Sequence, residues 1–339
     1  MEALSPTRYG LYVGIDVSLK TLSVAWGESA RAIGRAQTYP QTHAGYAALQ
    51  RALRQTGVAP AAVVVVLEAT STYWMQLAVA LWRAGYAVCV VNPKQAHHFR
   101  LACQQQTKTD AIDAQVLARL AASQALPRWQ PSSTVGEAVY QRLVEHDQVV
   151  KLRQMARNEL HALQQRDQPD PVVVARHQQR LDTFDQQLKQ IKRELRALLK
   201  DSAWAPLFKC LCGITGIGLL GAAWLLVITE GFTTCESPEQ LAAYLGLVPH
   251  RQDSGQRQGH KPLATTGHAR ARRTLYQACG SAIRYNPPIR DFYQRLRDRG
   301  KLVKVARCAA TRKLVHQVFA IVRQSQAQAR VLPPTPLTP

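Results

Sequence analysis

Acidic side chains are scarce in this chain. Asp and Glu number 22 against 43 Lys and Arg, a formal net charge of +21 over 339 residues. That balance argues against a polycationic partner and for a polyanionic one, most simply nucleic acid. The seven cysteines include no CxxC pair, and Cys210 and Cys212 do not have zinc-finger spacing. An odd, scattered set points to reduced thiols in a cytoplasmic protein rather than to a disulfide framework. The longest apolar run, Leu219 to Ile228 interrupted only by Gly221, is too short to span a bilayer, so no membrane partner is expected. The N-terminus lacks a basic region followed by an apolar stretch, so no signal peptide is expected. Neither a GxGxxG stretch nor a Walker lysine occurs, which argues against a nucleotide cofactor.

The basic surplus is uneven. Residues 206–339 carry 19 basic and 6 acidic side chains, a net of +13, whereas residues 126–205 carry 13 and 10 and residues 1–125 carry 11 and 6. The C-terminal part is therefore the main electrostatic footprint. Four of the six acids in the first block are Asp16, Glu68, Asp110 and Asp113, each near an expected strand or helix end. A chain of this length should form two or more domains.

The apolar run YGLYVGIDVS, residues 9–18, reads as a strand buried on both faces and ending in Asp16. TLSVAWG (Thr21 to Gly27) and Ala32 to Tyr39 follow as strands of an antiparallel meander. Thr42 to Gln55 has helical spacing. VVVVLEAT is a buried strand ending in Glu68, then a helix runs to Gly85, a natural residue to follow a helix end. AVCVVNP is another buried strand, Gln95 to Gln106 is polar and basic, and DAIDAQVLARLAA (Asp110 to Ala122) is a helix. The order β-β-β-α-β-α-β-α is that of an RNase H-like fold.

Ligands of α/β sheets gather where strands end, and Asp16 and Glu68 both end strands. Asp110 and Asp113 stand three apart on one helix and share a face. Four converging carboxylates repel unless cations lie between them. Hard oxygen ligands suit Mg²⁺ or Mn²⁺, and two such ions can clamp the attacking and leaving oxygens of a phosphodiester. Taken singly, each acid has a plainer role: a strand-end turn for Asp16, helix capping for Asp110, a solvated face for Asp113.

GIDVS, then LEAT-x-x-Y (Leu67 to Tyr73), then VNP, then KTDAIDAQVLARL (Lys108 to Leu120) resemble the RuvC-like domain of the DEDD-type insertion-sequence transposases, the bridge-RNA-guided recombinases. The resemblance covers roughly residues 10–125. It implies that Asp16, Glu68, Asp110 and Asp113 are an acidic, metal-binding tetrad and that Lys108 lies near phosphate.

Residues 126–135 form a linker, and 136–166 one long polar helix broken by Pro169-Asp170-Pro171. The next helix carries a heptad seam of Leu181, Phe184, Leu188, Ile191, Leu195 and Leu198. It reads as a helical hairpin or coiled coil, packing within one chain or joining subunits. In Pro206 to Ile228, a Gly-Ile-Thr-Gly-Ile-Gly turn between two helices would expose backbone N–H groups near Gly216 and Gly218. That turn is either a phosphate cradle or a helix-packing turn. Ser254 stands beside Gly255 in a basic loop with Arg251, Arg257, His260 and Lys261. Basic neighbours would activate a nucleophilic hydroxyl there, although an isolated Ser-Gly is more often an ordinary turn. Arg270, Arg272 and Arg273 open a further helix and are expected on nucleic-acid backbone, beside some plainly solvated arginines. The tail after residue 328 is expected to be disordered.

LAAYLGLVP, the Ser-Gly loop and T-G-x-x-x-x-R-R-x-L (Thr266 to Leu275) resemble the second block of the same family. The resemblance implies that Ser254 is the catalytic serine. Asp253 before it and Thr265-Thr266 before Gly267 depart from the usual pattern, which leaves Thr265 and Thr266 as alternatives. The expected domains are a RuvC-like domain at 1–125, a linker and helical coiled-coil region at 126–205, and a mainly helical serine-containing transposase domain at 206–328, with a tail at 329–339. The implied function is an insertion-sequence recombinase of a bacterial, nucleoid-associated kind. It would bind donor and target DNA and a non-coding bridge RNA, as a homo-oligomer in which dimers assemble to a tetramer. The alternative is a RuvC-like Holliday-junction or structure-specific endonuclease using metal-activated water.

Overall fold

A computed structural model describes residues 9–105, 107, 109–248 and 267–331. It divides into two compact units, Met1–Pro131 and Ser132–Pro339. Lys108, Arg251, Ser254, Arg257, Lys261, Thr265 and Thr266 lie outside the described residues.

The first unit is a five-stranded mixed sheet between two helical layers. Its strands are β1 (Leu11–Val17), β2 (Thr21–Gly27), β3 (Gln37–Pro40), β4 (Val63–Glu68) and β5 (Ala87–Val91). The order is β3-β2-β1-β4-β5. β1 pairs antiparallel with β2 and parallel with β4, and β4 pairs parallel with β5. Strand side chains alternate between faces. One set, including Val13, Ile15, Val65 and Leu67, packs under α1 (His43–Gln55) and α2 (Trp74–Arg83). The opposite set, including Val64, Val66 and Cys89, packs under α3 (Pro93–Ala102) and α4 (Asp110–Ser123). Burial on both faces explains the continuous apolar runs of β1 and β4. β3 is shorter than expected: Gln37–Pro40 pair in register with Thr21–Val24, whereas the Gly34 N–H donates to the Trp26 carbonyl one residue out of that register.

The polar stretch after β5 forms α3. Asn92 accepts from the Gln95 N–H at 2.8 Å and Pro93 occupies the first turn, a start that suits both residues.

Among the described residues, the second unit is all helix: α5 (Thr134–Gln164), α6 (Pro171–Lys200), α7 (Ala205–Cys212), α8 (Leu219–Ile228), α9 (Pro238–Tyr244), α10 (Ala269–Tyr285), α11 (Pro287–Asp298) and α12 (Val303–Val331). The seam of α6 lies against α5 within the chain. Leu188, Ile191, Leu195 and Leu199 join Val139 and Leu143 in one core with Trp224, Leu275 and Val318. Only Leu181 and its neighbours Ala156 and Leu160 form a separate small cluster toward the tip of the hairpin. No described helix is long and apolar enough to cross a membrane.

Candidate active site

β1 delivers Asp16 half-buried, opposite Ser23 of β2. Ile15 stands opposite Leu67 in the parallel pair. The next residues, Asp16 and Glu68, therefore leave neighbouring strands at one edge of the sheet, where α/β sheets hold their ligands. Glu68 is fixed by its own turn: the Thr70 hydroxyl donates to Glu68 Oε1 at 2.6 Å, and the Thr70 N–H donates to the Glu68 carbonyl. Ser71 follows at φ 57, a left-handed conformation uncommon outside glycine and of a kind that clusters at functional sites.

Helix α4 begins at Thr109, whose hydroxyl accepts from the Ile112 N–H at 3.3 Å. Asp110 and Asp113 sit in its first turn, where the helix dipole favours carboxylates whatever else they do. Asp110 is exposed and Asp113 half-buried. The helix lies directly on β1 because Gly14 has no side chain to keep it away. A Cβ there would stand 2.2 Å from the Ala114 oxygen and 2.2 Å from the Ala118 nitrogen.

A cavity of about 230 Å³ opens between Glu68 and Asp113, with His97, Arg100 and Leu117 in its lining. The structure thus brings Glu68 and Asp113 to one space. Asp16 adjoins it through the strand pairing, and Asp110 stands at the exposed helix start; neither lines it. Arg100 Nη1 is 3.9 Å from Asp113 Oδ1, and its Nη2 lies 3.2 Å from His97 Nδ1. Arginine has only donors, so His97 Nδ1 accepts and its ring carries the proton on Nε2. Among the described residues, no three His, Cys, Asp or Glu side chains are gathered to hold a metal ion. The donor set suits a hard divalent cation in chemistry; in placement a guanidinium, not a third carboxylate, faces Asp113.

Thr70, His97 and Arg100 are given no role in the sequence reading. The Asn92-Pro93 helix start was the signal available for the last two, since it places residues 97 and 100 on one helix face.

In the second unit, Gly216 has φ +105, and a Cβ there would come within 2.6 Å of the Ala282 Cβ. Close packing onto α10 accounts for this glycine. Gly218, with nothing near it, precedes the first turn of α8. Asn286, 4 % exposed, ties the turn down by donating to the Thr215 carbonyl and to Gln317. Arg272 donates to the Leu245 carbonyl at 3.2 Å, and Arg273 to Asp147 Oδ2 at 2.8 Å. Arg270, half-buried, adds positive charge beside Asp147. Among the described residues, Arg272 and Arg273 therefore have hydrogen-bond partners within the chain.

Gly246 and Gly267, which flank residues 249–266 in sequence, are themselves in contact: a Cβ on Gly267 would lie 2.6 Å from the Gly246 nitrogen. The His268 N–H donates to the Tyr244 carbonyl at 2.9 Å. The His268 ring lies 4.9 Å from that of Trp224 and accepts from the Ala271 N–H through Nδ1. Burial pushes the His268 pKa down and the Tyr244 pKa up, so both groups stand neutral at the stem of this segment.

Carboxylates at strand ends, in a chain of net charge +21, fit a protein that acts on nucleic acid. Comparison with known proteins makes this specific. A transposase family profile of the DEDD type matches residues 13–169, and a second, described as transposase IS116/IS110/IS902 family, matches residues 208–294. The pilin gene-inverting protein of Moraxella bovis is 27% identical over 320 residues, covering 93% of this chain and 96% of its own. Its namesake from Moraxella lacunata is 26% identical over the same shares. An uncharacterized 43.6 kDa protein of insertion element IS110 from Streptomyces coelicolor is 27% identical over 152 residues, 45% of this chain and 37% of its own. The chain belongs to the IS110/IS116/IS902 transposase family, of DEDD type, and is a DNA transposase/recombinase.

Proposed function

We propose that the chain is a bridge-RNA-guided DNA recombinase in which a RuvC-like, RNase H-fold unit holds a divalent ion and the helical unit supplies Ser254 as the nucleophile. The observation that carries this reading is the exit of Asp16 and Glu68 from adjacent parallel strands at one edge, with Asp113 across a shared cavity from Glu68. A three-stranded antiparallel meander continued by two parallel strands supports the RNase H-type assignment. Asp16, Glu68, Asp113 and Asp110 are the residues that would hold Mg²⁺, or Mn²⁺. When bound, the ion supplies Lewis-acid polarisation of a phosphate oxygen.

Ser254 Oγ attacks the scissile phosphorus. The Oγ–P bond forms, the bond from phosphorus to the 3′ oxygen breaks, and the serine proton ends on the released 3′-hydroxyl. The 5′-phosphoserine conserves the phosphodiester, so attack by a 3′-hydroxyl of the partner strand rejoins DNA in exchanged order and frees the serine. Lys108, Arg251, Arg257 and Lys261 neutralise phosphate in this reading. A non-coding RNA pairs with donor and target DNA. A homo-oligomer, dimers assembling to a tetramer, brings the serine of one subunit to the carboxylates of another. The name of the Moraxella relatives, a gene-inverting protein, supports strand exchange over simple cleavage.

The test is strand exchange by Ser254→Ala, with the RNA that co-purifies with the wild-type chain sequenced in parallel. Exchange should vanish and a specific RNA should be recovered. Exchange that survives the substitution would remove the serine step and leave the structure-specific endonuclease reading. Absence of a specific RNA would remove guidance.

A further inference from the structure

We propose that Arg100 is a resident counter-cation of the acidic cavity, which pairs with Asp113 until a divalent ion enters and then contacts a nucleic-acid phosphate. The inference rests on the proposed metal reading. It starts from the guanidinium that faces Asp113 inside the cavity.

Arg100 stands in the last turn of α3. Its side chain is 15% exposed and that of Asp113 19%, so both charges are largely withdrawn from water. Nη1 faces Asp113 Oδ1 at 3.9 Å, too far for a hydrogen bond. That nitrogen is buried and makes no hydrogen bond among the described residues. A buried, unsatisfied donor is unfavourable. A guanidinium held in that condition is placed for its charge and has donor capacity to spare.

An anion with free oxygens suits this guanidinium better than a neutral acceptor does. Glu68 accepts from Thr70 on its own turn. A phosphodiester oxygen entering the cavity meets the requirement, and guanidinium binds phosphate through paired N–H donors. A divalent ion entering the same space brings like charge beside Arg100 and competes for Asp113. Each cation is disfavoured beside the other, and a phosphate, which binds both, relieves that repulsion. His97 Nδ1 holds Nη2 and keeps the side chain at the cavity rather than in solvent. Ion binding without nucleic acid is thereby weakened, and ion and phosphate bind cooperatively.

The experiment is Mn²⁺ titration by calorimetry of the full chain without nucleic acid, comparing wild type with Arg100→Gln, Arg100→Lys and His97→Ala. Arg100→Gln should bind Mn²⁺ about tenfold tighter, within the range usual for coupled sites, while single-turnover strand cleavage falls. Arg100→Lys, which keeps the charge, should bind Mn²⁺ as wild type does. His97 is exposed, so His97→Ala provides a folded variant even if Arg100→Gln does not fold, and it should shift affinity in the same direction by a smaller factor. Affinity unchanged or weaker in both Arg100→Gln and His97→Ala overturns the counter-cation role, because a merely structural arginine would lower binding and cleavage together. Lack of Mn²⁺ binding by wild type and every variant overturns the metal reading itself, and the competition with it.

Discussion

Gly14 of β1 and Ala114 of α4 meet with no side chain between them: a Cβ on Gly14 would stand 2.2 Å from the Ala114 carbonyl oxygen. The obstacle is helix backbone, which cannot rotate away as a side-chain end would. Gly14→Ala must therefore lift α4, and Asp113 moves with it. Overpacking of this kind destabilises by about 1–3 kcal/mol. The expected result is a melting temperature several degrees lower and strand cleavage reduced far beyond that loss. Circular dichroism melts beside a cleavage assay read both. An equally stable, active Gly14→Ala would mean that α4 is not seated as described.

Thr70 tests the other acid. Its hydroxyl donates to Glu68 Oε1 at 2.6 Å from an exposed turn, so Thr70→Val removes one bond without opening a core. In the proposed function Glu68 is one of the residues that would hold the ion, and groups that orient such carboxylates are worth roughly 10- to 100-fold in metal affinity or activity. Thr70→Val should lose strand cleavage by about that factor with its melting temperature nearly unchanged, and Thr70→Ser should restore most of it. A fully active Thr70→Val would show that Glu68 needs no such support.

The strands and α4 were legible because their signals are local: apolar runs bounded by polar turns, and a Thr109 cap before two first-turn aspartates. The edge shared by Asp16 and Glu68 could be anticipated from strand ends alone. What the sequence hid depends on contacts across the fold. Arg100 reads as one more surface cation until α3 folds against α4. Gly216 reads equally as phosphate cradle or packing turn until Ala282 is found against it. Arg273 looks free until α10 meets Asp147 on α5. The heptad seam of α6 was visible, and packing within one chain stood beside subunit joining as its use; the contact with α5 decides that the seam packs within the chain.

The Asp147–Arg273 pair gives a pH dependence. Burial raises the Asp147 pKa, but the His146 hydrogen bond and the Arg273 and Arg270 charges outweigh it and bring it below the ordinary 3.8. A carboxyl with a depressed folded pKa contributes stability that is present above its unfolded value and lost as pH falls through the folded one. Arg273 is half exposed, so solvent screening limits the contribution to about 1 kcal/mol. Asp147→Asn should therefore be less stable than wild type by about that much near neutral pH, with the gap closing as pH drops below 3.8. Urea unfolding between neutral and acid pH measures the gap; one that widened on acidification would reverse the assignment.

Gly267 and Gly300 separate conformational strain from close approach. Both have positive φ, +104 and +74, but a Cβ on Gly300 meets nothing within 4 Å, whereas one on Gly267 would press on the Gly246 nitrogen and the Tyr244 oxygen at 2.6 and 2.8 Å. Placing alanine in a left-handed conformation costs about 1–2 kcal/mol at either position. Only at Gly267 must the backbone also move, and there it carries the His268 N–H bond to Tyr244 and the stem of the segment containing Ser254. Gly300→Ala should lower the melting temperature slightly and leave strand exchange intact. Gly267→Ala should lower the melting temperature further and, on the proposed role of Ser254, abolish exchange. Equal losses of exchange in the two variants would mean that the contact between Gly246 and Gly267 has no part in positioning the serine.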